Sequence, residues 1–381
     1  MQRSSFLDRR PPAMLCSVTQ EPGHGGIARV ARLVWQVLQE VSGSQCKLIT
    51  LIPRGLEPPK STDKLRFAAK VVGELINHDV DWIIFDHLSL ARVQRLVPKA
   101  FRRPYAVLLY SIDAWSPLSP KLKEILRQAR VRIAISHYTA KRVSEVNPEI
   151  GPIDVCHLAL LPIQCRIQDA SEENPLVATD PDPDWSLVKR IQSNSVLIVG
   201  RMFSTERYKG HDHLIGAWPD LKARVPDAQL VIVGRGDDVP RLRAKAEQTS
   251  SDASILFTGQ VSESTLQAIY KQVSVFAMPS RNEGFGLVYL EAMQHRLPCI
   301  GSIHDAAAEV IEDGVTGFLV DQTDKNSLVD ALARLLENPA QRRQMGEAGF
   351  ERFQKEFSFE QFKERFLTAL KPLMSEGIAS I

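Results

Sequence analysis

Two cations and two carboxylates stand in or just after two loops, each of which follows an apolar run. Arg201 and Lys209 lie in VGRMFSTERYKGHD, whereas Glu283 and Glu291 bracket the glycine-punctuated loop of PSRNEGFGLVYLEAM. Neighbouring cations are costly unless an anion lies between them, and charge-assisted hydrogen bonds make phosphate a strong ligand for both. Carboxylates repel phosphate, by about 4 kcal/mol for like charges about 4 Å apart at an effective dielectric of about 20. They accept hydrogen bonds from the vicinal hydroxyls of sugars, so beside a diphosphate held by the cations one glutamate suits a ribose and the other a transferred hexose. Each glutamate also has a plainer interpretation: Glu283 as a turn residue before Gly284, and Glu291 as an acid favoured by the helix dipole.

The elements that must position these residues alternate along the chain. Short apolar runs recur in the first half (AMLCSV, DWIIFD, YAVLLY) and in the second (SVLIVGR, AQLVIVGRG, VSVFAMPS), separated by stretches with an apolar residue at every third or fourth position. This alternation predicts two Rossmann-like α/β domains, each with a parallel sheet between helices. Ligands bind such sheets at the carboxyl ends of the strands, so we expect the two domains to face each other across a cleft that holds the site.

Length and a change of composition set the expected domain boundaries. A chain of 381 residues suits two domains rather than one. Residues 169–194 are rich in acid and proline and predict a connecting surface segment. We therefore expect an N-terminal domain over 1–190, a C-terminal domain over 191–360, and an amphipathic helix over 361–381 that packs back on the first domain.

The strand ends of the first half provide further candidates: His87, Tyr110, Asp113 and His137. After the first strand, Gly26 opens a helix whose N-terminus can receive a phosphate. The pattern Gly23-x-Gly25-x-x-Ala28 also matches a dinucleotide-binding fingerprint, and Arg54 after the second strand suits a 2′-phosphate. An NADP-dependent oxidoreductase is therefore an alternative. It gives no role to the four residues Arg201, Lys209, Glu283 and Glu291.

Composition limits the class of protein. The 44% hydrophobic and 24% charged residues are typical of a soluble globular protein. The five cysteines are scattered and never spaced as CxxC, which predicts neither a disulfide framework nor a zinc site and fits a reducing compartment. The first residues lack the apolar core of a signal peptide, and no window approaches a membrane span. We expect a cytoplasmic protein.

The net charge of +2 hides two oppositely charged halves. Residues 1–168 hold 24 Lys and Arg against 14 Asp and Glu, whereas residues 169–381 hold 23 against 31. A basic half attracts anions, so it predicts either peripheral contact with the anionic inner face of a membrane or a solvated surface that only aids solubility. Its cations are dispersed rather than interleaved with aromatic residues, which argues against nucleic acid as a partner.

Three segments of the second half resemble the retaining, GT-B-fold glycosyltransferases of family four, the glycosyl transferases group 1. They are VGRMFSTERYKGHDHLI, ILFTGQVSESTLQAIYKQVSVFAMPSRNEGFGLVYLEAM and EVIEDGVTGFLV. The resemblance is strong over residues 195–360 and looser in the first half, where GGIARV, YSIDAW and AISHYTAKRV carry it. It implies a GT-B fold and transfer of a hexose-type sugar from a nucleotide diphosphate sugar to a hydroxyl of a glycan, a lipid-linked acceptor or a small molecule. UDP, GDP and ADP all stay open as the donor nucleotide.

The resemblance also implies a role for each matching residue. Arg201 and Lys209, with Gly200 at the strand end, match the positions that bind the donor diphosphate. Glu291 matches the residue that holds the nucleotide ribose. Glu283 matches the residue that contacts the donor sugar, together with the backbone of the residues that follow it: Gly284, Phe285, Gly286 and Leu287.

Two segments depart from the family pattern. In YSIDAW, Tyr110 stands where many relatives have a histidine near the reacting sugar. His87 and His137 are candidates for that place, and the alternative for each is a structural histidine. A non-catalytic partner subunit that binds a nucleotide sugar is a separate alternative for the whole chain. In SIHDAAAEVI, alanines stand where relatives often have glycines, so the backbone approach there differs.

The expected mechanism follows from the scarcity of carboxylates. A double displacement needs a carboxylate nucleophile beside the anomeric carbon, and only Asp113 and Glu283 are candidates. The resemblance implies front-face attack instead, in which the leaving diphosphate takes the acceptor proton and the cations stabilise its charge.

No metal or other cofactor is expected. The run DPDPD at 180–184 superficially resembles an Asp-x-Asp metal site, but its prolines and its surroundings predict a solvated connector. Arg201 and Lys209 already supply the positive charge that a magnesium ion would bring.

Overall fold

A computed structural model describes residues 12–21, 25–52, 59–77, 80–110, 113–161, 182–249 and 254–374. The chain divides into two compact units: the first combines Met1–Leu161 with Phe359–Ile381, and the second is Pro162–Ser358. Of the features singled out above, Gly23, Arg54 and the part of the acidic segment before residue 182 lie outside the described residues. Each unit contains one parallel sheet flanked by helices, as the alternating pattern predicts.

The first unit is built on a six-stranded sheet in the order β2-β1-β3-β4-β5-β6, in which every neighbouring pair is parallel. All residues of β1, β3, β4 and β5 are buried, as in a sheet covered on both faces. The strand order reverses between β1 and β3, which is where open α/β sheets bind ligands. The strands are β1 (Ala13–Ser17), β2 (Lys47–Thr50), β3 (Trp82–Phe85), β4 (Tyr105–Leu109), β5 (Val131–Ala134) and β6 (Asp154–Val155).

Five α-helices of the described residues cover this sheet: α1 (Gly26–Ser42), α2 (Ser61–Asn77), α3 (Pro120–Gln128), α4 (His137–Val146) and, from the end of the chain, α13 (Phe359–Met374). Short 3-10 turns lie at Gly43–Gln45, Leu90–Arg95, Lys99–Phe101 and Pro148–Ile150. Helix α13 packs on β4 and β5 through a buried stripe spaced by four residues, Phe362, Phe366 and Leu370. Its Lys363 pairs with Glu40 of α1 at 2.5 Å.

The second unit is built on a six-stranded parallel sheet in the order β12-β11-β10-β7-β8-β9. This is the strand order of a Rossmann fold, and it reverses between β7 and β10. Its strands are β7 (Ser195–Val199), β8 (Gln229–Val233), β9 (Ile255–Gly259), β10 (Val275–Ala277), β11 (Cys299–Ser302) and β12 (Gly317–Val320). Residues that follow β7 and β10 therefore lie at the position where ligands of such sheets bind.

The described helices of the second unit are α5 (Trp185–Val188), α6 (His211–Arg224), α7 (Val239–Thr249), α8 (Glu263–Gln272), α9 (Leu287–Gln294), α10 (Ala307–Val310), α11 (Lys325–Glu337) and α12 (Pro339–Glu356). A 3-10 turn spans Ser204–Lys209. Side-chain caps start several of them, as Ser262 does for α8 and Asp324 for α11. Asp184 caps α5 in the same way, so the last aspartate of DPDPD, which is exposed, begins a short helix of this unit.

None of the described helices is both long and apolar enough to cross a membrane.

Candidate active site

The main chain after β7 and the main chain after β8 approach each other so closely that two positions have no room for a Cβ. A Cβ at Gly234 would lie 1.9 Å from the carbonyl oxygen of Gly200, and a Cβ at Gly236 would lie 1.9 Å from that of Met202. Gly234 also has a φ of +142°, a value that L side chains rarely adopt. Two hydrogen bonds, from the Met202 N–H to the Arg235 carbonyl and from the Asp238 N–H to the Met202 carbonyl, tie the two strand ends together. The backbone around Arg201 is thereby fixed.

Arg201 leaves this strand end half-exposed, with 49% of its side chain accessible. Its Nη2 donates to Glu206 Oε1 at 2.6 Å, and its guanidinium lies 5.9 Å from the centre of the Phe203 ring. The fork of an arginine carries five N–H donors, so this single ion pair leaves donors for a second anion. Arg201 is thus an accessible cation, as its sequence position predicts.

Lys209 is far more buried and pairs with Glu283. Its Nζ lies 3.2 Å from Glu283 Oε2, and the two side chains are only 15% and 20% exposed. Burial acts to lower the pKa of Lys209, but the charge of Glu283, together with Tyr208 and Glu206, outweighs it and raises the pKa above its usual value. The ammonium is charged at neutral pH and sits beside the carboxylate that the sequence assigns to the sugar.

A left-handed glycine brings the Lys209 turn against the Glu283 loop. Gly210 ends the 3-10 turn at a φ of +93° and precedes α6, and a Cβ there would lie 2.7 Å from the Pro279 carbonyl oxygen. On the same side, the Arg281 N–H donates to the Tyr208 carbonyl at 3.0 Å. Only glycine combines this conformation with this close approach. The local fold therefore places a loop after β7 in direct contact with a loop after β10.

The third cation of the segment, Arg207, is engaged elsewhere. Its Nε donates to Asp238 Oδ2 at 3.2 Å, and its Nη2 donates to Asp238 Oδ1 at 3.0 Å. Asp238 also accepts from Arg241, which bridges to Asp212, and these cations hold the pKa of Asp238 below its usual range, with Arg241 the larger cause. Arg207 therefore belongs to an ion-pair network with Asp238, Arg241 and Asp212.

The Glu283 loop ends at a second left-handed glycine. Gly286 has a φ of +87°, a Cβ there would lie 2.4 Å from the Tyr289 ring, and α9 begins at the next residue, Leu287. No side chain caps this helix, and its N-terminus carries the positive end of the helix dipole. The Phe285 side chain is buried against Phe357, with ring centres 6.0 Å apart, so it serves the core while its backbone forms the loop.

Glu291 lies one turn into α9, where the sequence places it, and only 3% of it is exposed. The Tyr270 hydroxyl donates to its Oε2 at 3.0 Å. Tyr270 stacks on His295, with ring centres 5.0 Å apart, and His295 Nδ1 lies 2.8 Å from the Glu291 carbonyl oxygen. One carboxylate oxygen is thus held by an aromatic neighbour, which fixes the rotamer of Glu291.

In the first unit, three predicted residues come together at the edge of the sheet. His87 Nε2 lies 3.7 Å from Asp113 Oδ2, and the rings of His87 and Tyr110 are 6.4 Å apart. The Tyr110 hydroxyl is buried and has no hydrogen-bond partner in the described part of the chain. Burial raises its pKa well above the usual value, and the charges of Asp86 and Asp113 add to this, so the hydroxyl keeps its proton. Tyr110 can donate a hydrogen bond and cannot act as a base.

The remaining candidates of the first unit have other surroundings. His137 is the first residue of α4, after the cap Ser136, and its ring lies 5.4 Å from that of His157. Gly26 is the first residue of α1, and a Cβ there would meet no described atom within 4 Å. Packing in the described structure therefore does not require a glycine at this helix N-terminus.

Comparison with known proteins decides the family. Residues 183–352 match the model of the family described as glycosyl transferases group 1. Over 309 residues the chain is 30% identical to a GDP-mannose-dependent alpha-(1-6)-phosphatidylinositol monomannoside mannosyltransferase of Mycolicibacterium smegmatis, covering 78% of this chain and 77% of the relative. It is 31% identical over 297 residues to the enzyme of that name from Mycobacterium tuberculosis, covering 73% of this chain and 72% of the relative.

The chain belongs to the glycosyl transferases group 1.

The fold of this glycosyltransferase agrees with the assignment. It matches a sucrose-phosphate synthase from Thermosynechococcus elongatus with a TM-score of 0.75 at 20% identity, over 96% of this chain and 100% of the other. The predicted GT-B fold with two Rossmann-like sheets is confirmed. Membership in the family also removes the ground for the NADP-dependent oxidoreductase.

Two residues that the sequence did not predict touch the candidate site. Asp305 is buried, and one of its carboxylate oxygens accepts the Glu283 N–H at 3.1 Å. His211 is buried behind Gly200, and its Nε2 has no hydrogen-bond partner among the described residues. Burial, and then the charge of Lys209, lowers the pKa of His211 to about 4, so the imidazole is neutral. His211 directly follows the Lys209–Gly210 pair, and that adjacency is the one sequence feature that pointed to it.

Proposed function

We propose that this glycosyltransferase moves a mannosyl residue from GDP-mannose to a hydroxyl of a lipid-linked, phosphatidylinositol-type acceptor, with retention at the anomeric carbon and without a metal. The donor and the acceptor are supported by the names of the two mannosyltransferases that match most of the chain. The single observation that supports the chemistry is the partly buried pair of Lys209 and Glu283 at the switch point of the second sheet.

In this proposal the donor diphosphate binds to Arg201 and Lys209. Arg201 offers unused N–H donors at an accessible position, and Lys209 supplies a buried, charged ammonium. Preorganised charges of this kind stabilise the negative charge that develops on the leaving diphosphate, and each contributes about 3 to 4 kcal/mol to lowering a barrier. The same cations replace a divalent metal.

Glu283 accepts hydrogen bonds from hydroxyls of the donor sugar, and Glu291 does so from those of the ribose. Both carboxylates are fixed before the donor arrives, Glu283 by Lys209 and Glu291 by Tyr270. The ion pair with Lys209 also makes Glu283 a weak nucleophile, since its charge is already shared with a cation. This favours front-face attack: the acceptor oxygen bonds to the anomeric carbon on the side from which the diphosphate leaves, and a phosphate oxygen takes the acceptor proton.

The acceptor is assigned to the first unit. His87 and Asp113 form an ion-pair geometry at 3.7 Å, and the protonated Tyr110 hydroxyl provides a donor. These groups suit a polyol such as an inositol ring, whose hydroxyls both donate and accept.

Peripheral contact with an anionic membrane is supported by the surface of α2. Leu65 is 71% and Ile76 44% exposed, and the exposed Ala69 and the partly exposed Val72 complete a stripe at helical spacing between them. Three exposed cations flank the stripe: Lys64, Arg66 and Lys70. An apolar stripe with flanking cations suits the boundary of an anionic lipid surface. Replacing Leu65 and Ile76 together by aspartate should abolish sedimentation with phosphatidylglycerol vesicles while melting temperature is kept.

The test of the reaction is an assay of the purified protein with GDP-mannose, UDP-glucose and ADP-glucose, each with and without a phosphatidylinositol mannoside in vesicles. Turnover with GDP-mannose alone among the donors, together with an α-anomeric product in the proton NMR spectrum, supports the proposal. A β-anomeric product refutes retention, and preference for another nucleotide refutes the donor.

Thermal shift separates binding from catalysis. A donor at about a hundred times its dissociation constant stabilises the protein by about 2.7 kcal/mol. A shift with GDP-mannose but no turnover with any acceptor contradicts the proposal and supports the non-catalytic partner subunit. The variant Glu283→Ala serves as the matched control in both measurements.

A further inference from the structure

Asp305 is a buried carboxylate in the second unit that the proposed reaction does not use. It follows β11 by three residues, and only 3% of it is exposed. Burying a charge is costly unless hydrogen bonds satisfy it, and here three donors do so. The Ser280 hydroxyl at 2.5 Å and the Glu283 N–H at 3.1 Å both bond Oδ2, and the Ala307 N–H bonds Oδ1 at 3.0 Å.

Two of these donors belong to the loop that carries Glu283. Ser280 opens the loop and is fully buried, so its hydroxyl has few other partners to choose from. A further bond runs the other way, from the Ala306 N–H to the Glu283 carbonyl at 3.2 Å. Both backbone groups of Glu283 are therefore held by consecutive residues, Asp305 and Ala306.

This clamp fixes the residue whose carboxylate pairs with Lys209. With its N–H and its carbonyl both bonded, the Glu283 backbone is held in one orientation. In that orientation its carboxylate lies 3.2 Å from the Lys209 ammonium. Burial raises the pKa of Asp305 to about 6, against the three hydrogen bonds that act to lower it. All three contacts of Asp305 come from donors, and both of its carboxylate oxygens accept.

We propose that Asp305 is a positioning residue for the transferred sugar, acting through the backbone of Glu283 to hold that carboxylate where the sugar hydroxyls bind. The inference rests on the proposed function, in which Glu283 contacts the donor sugar. Asp305 itself touches neither substrate nor leaving group.

The test is a double-mutant cycle between Asp305→Ala and Glu283→Ala, with kcat and KM measured for the sugar donor. Loss of a charged hydrogen-bond acceptor lowers a rate or equilibrium constant by a factor of about ten to a hundred. We expect a decrease of this size in kcat for Asp305→Ala, with KM changed much less. Because Asp305 acts through Glu283, the double variant should be no slower than Glu283→Ala alone. Additive losses in the double variant overturn the inference.

A second substitution covers the case in which Asp305→Ala does not fold. Asp305→Asn keeps the volume, and its amide oxygen can still accept from the Glu283 N–H, so it should recover most of the lost kcat. An Asp305→Asn variant as slow as Glu283→Ala overturns the inference.

The control is Ser254→Ala. Ser254 accepts from the Trp218 indole at 2.9 Å, is buried, and lies at the opposite end of the strands, directly before β9. It should lower the melting temperature and leave kcat unchanged.

Failure of the inference and failure of the proposed function give different results. If Glu283→Ala is slow and Asp305→Ala is as fast as the wild type, only the inference is wrong. If Glu283→Ala keeps normal kcat and KM, the role proposed for Glu283 is wrong and the inference is overturned with it.

Discussion

Lys209→Met removes one charge from the candidate site and keeps most of the volume of the side chain. In the unsubstituted protein the ammonium lies 3.2 Å from the Glu283 carboxylate, and both side chains are mostly buried. At an effective dielectric of about 20, charges at this separation attract by about 5 kcal/mol. The substitution therefore leaves Glu283 as an unpaired, partly buried anion.

The effect on turnover has two parts with the same sign. A preorganised cation that stabilises a leaving group contributes about 3 to 4 kcal/mol, which is a factor of roughly a hundred to a thousand in kcat. The unpaired carboxylate also repels the donor diphosphate, which raises KM. We expect kcat/KM to fall by more than kcat does.

The assay is steady-state release of the nucleoside diphosphate, with kcat and KM determined separately. The matched control is Arg207→Ala, which removes a cation two residues away on the same 3-10 turn. Arg207 is 53% exposed and bonded to Asp238, so its loss should affect stability slightly and kcat little.

Two results would refute the reasoning. A kcat for Lys209→Met within about threefold of wild type is too small a loss for a group that stabilises the leaving diphosphate. An Arg207→Ala variant as slow as Lys209→Met would mean that the turn matters for its shape or its total charge rather than for the ammonium of Lys209.

Three further predictions concern stability and metal. Gly210→Ala should lower the free energy of unfolding by about 1 to 3 kcal/mol, because the φ of Gly210 is +93° and a Cβ there would lie 2.7 Å from the Pro279 carbonyl oxygen. The control is Gly73→Ala, in open space on α2, which should raise the free energy of unfolding by up to about 1 kcal/mol. Urea unfolding measures both. The pKa of His211 is near 6.5 in the unfolded chain and about 4 in the folded one, so the free energy of unfolding falls as pH falls through this window. Between pH 7 and pH 5, His211→Gln should therefore lose about 2 kcal/mol less stability than wild type. Equal losses in the two proteins would contradict the assigned burial of His211. Excess EDTA should leave turnover unchanged, and a loss restored by magnesium would show that the cations do not suffice.

The sequence predicts most of the framework because its periodicities are long and regular. Alternating apolar runs and amphipathic stretches give both sheets and the helices that cover them, and the start of α9 follows from the glycines of the loop before it. The four-residue β12 escapes prediction because it is short and begins at a glycine. The helix α5 escapes because prolines surround it.

The candidate site is predictable where a residue's place along the chain decides its role. Lys209 and Glu283 follow strands at the switch point, so their contact can be expected without knowledge of the side-chain packing. The partners are different, because they depend on the packing of distant segments. Nothing near Arg207 reveals Asp238, and nothing near Glu283 reveals Asp305, which lies 22 residues later.

The first unit is built from two segments of the chain, one before and one after the second unit in the sequence. Its core needs Phe362, Phe366 and Leu370 of α13, which are buried against β4 and β5, and these come after the whole continuous stretch Pro162–Ser358. Domains fold as units during synthesis, in the order in which the ribosome completes them. The first unit, although its first strands are made earliest, therefore cannot be completed before the last segment of the chain is made. Until then the surface of β4 and β5 that α13 covers stays exposed. A chain that ends at residue 358 would keep all of the second unit's sheet. The sheet of the first unit would expose to chaperones the apolar surface of β4 and β5 that α13 covers.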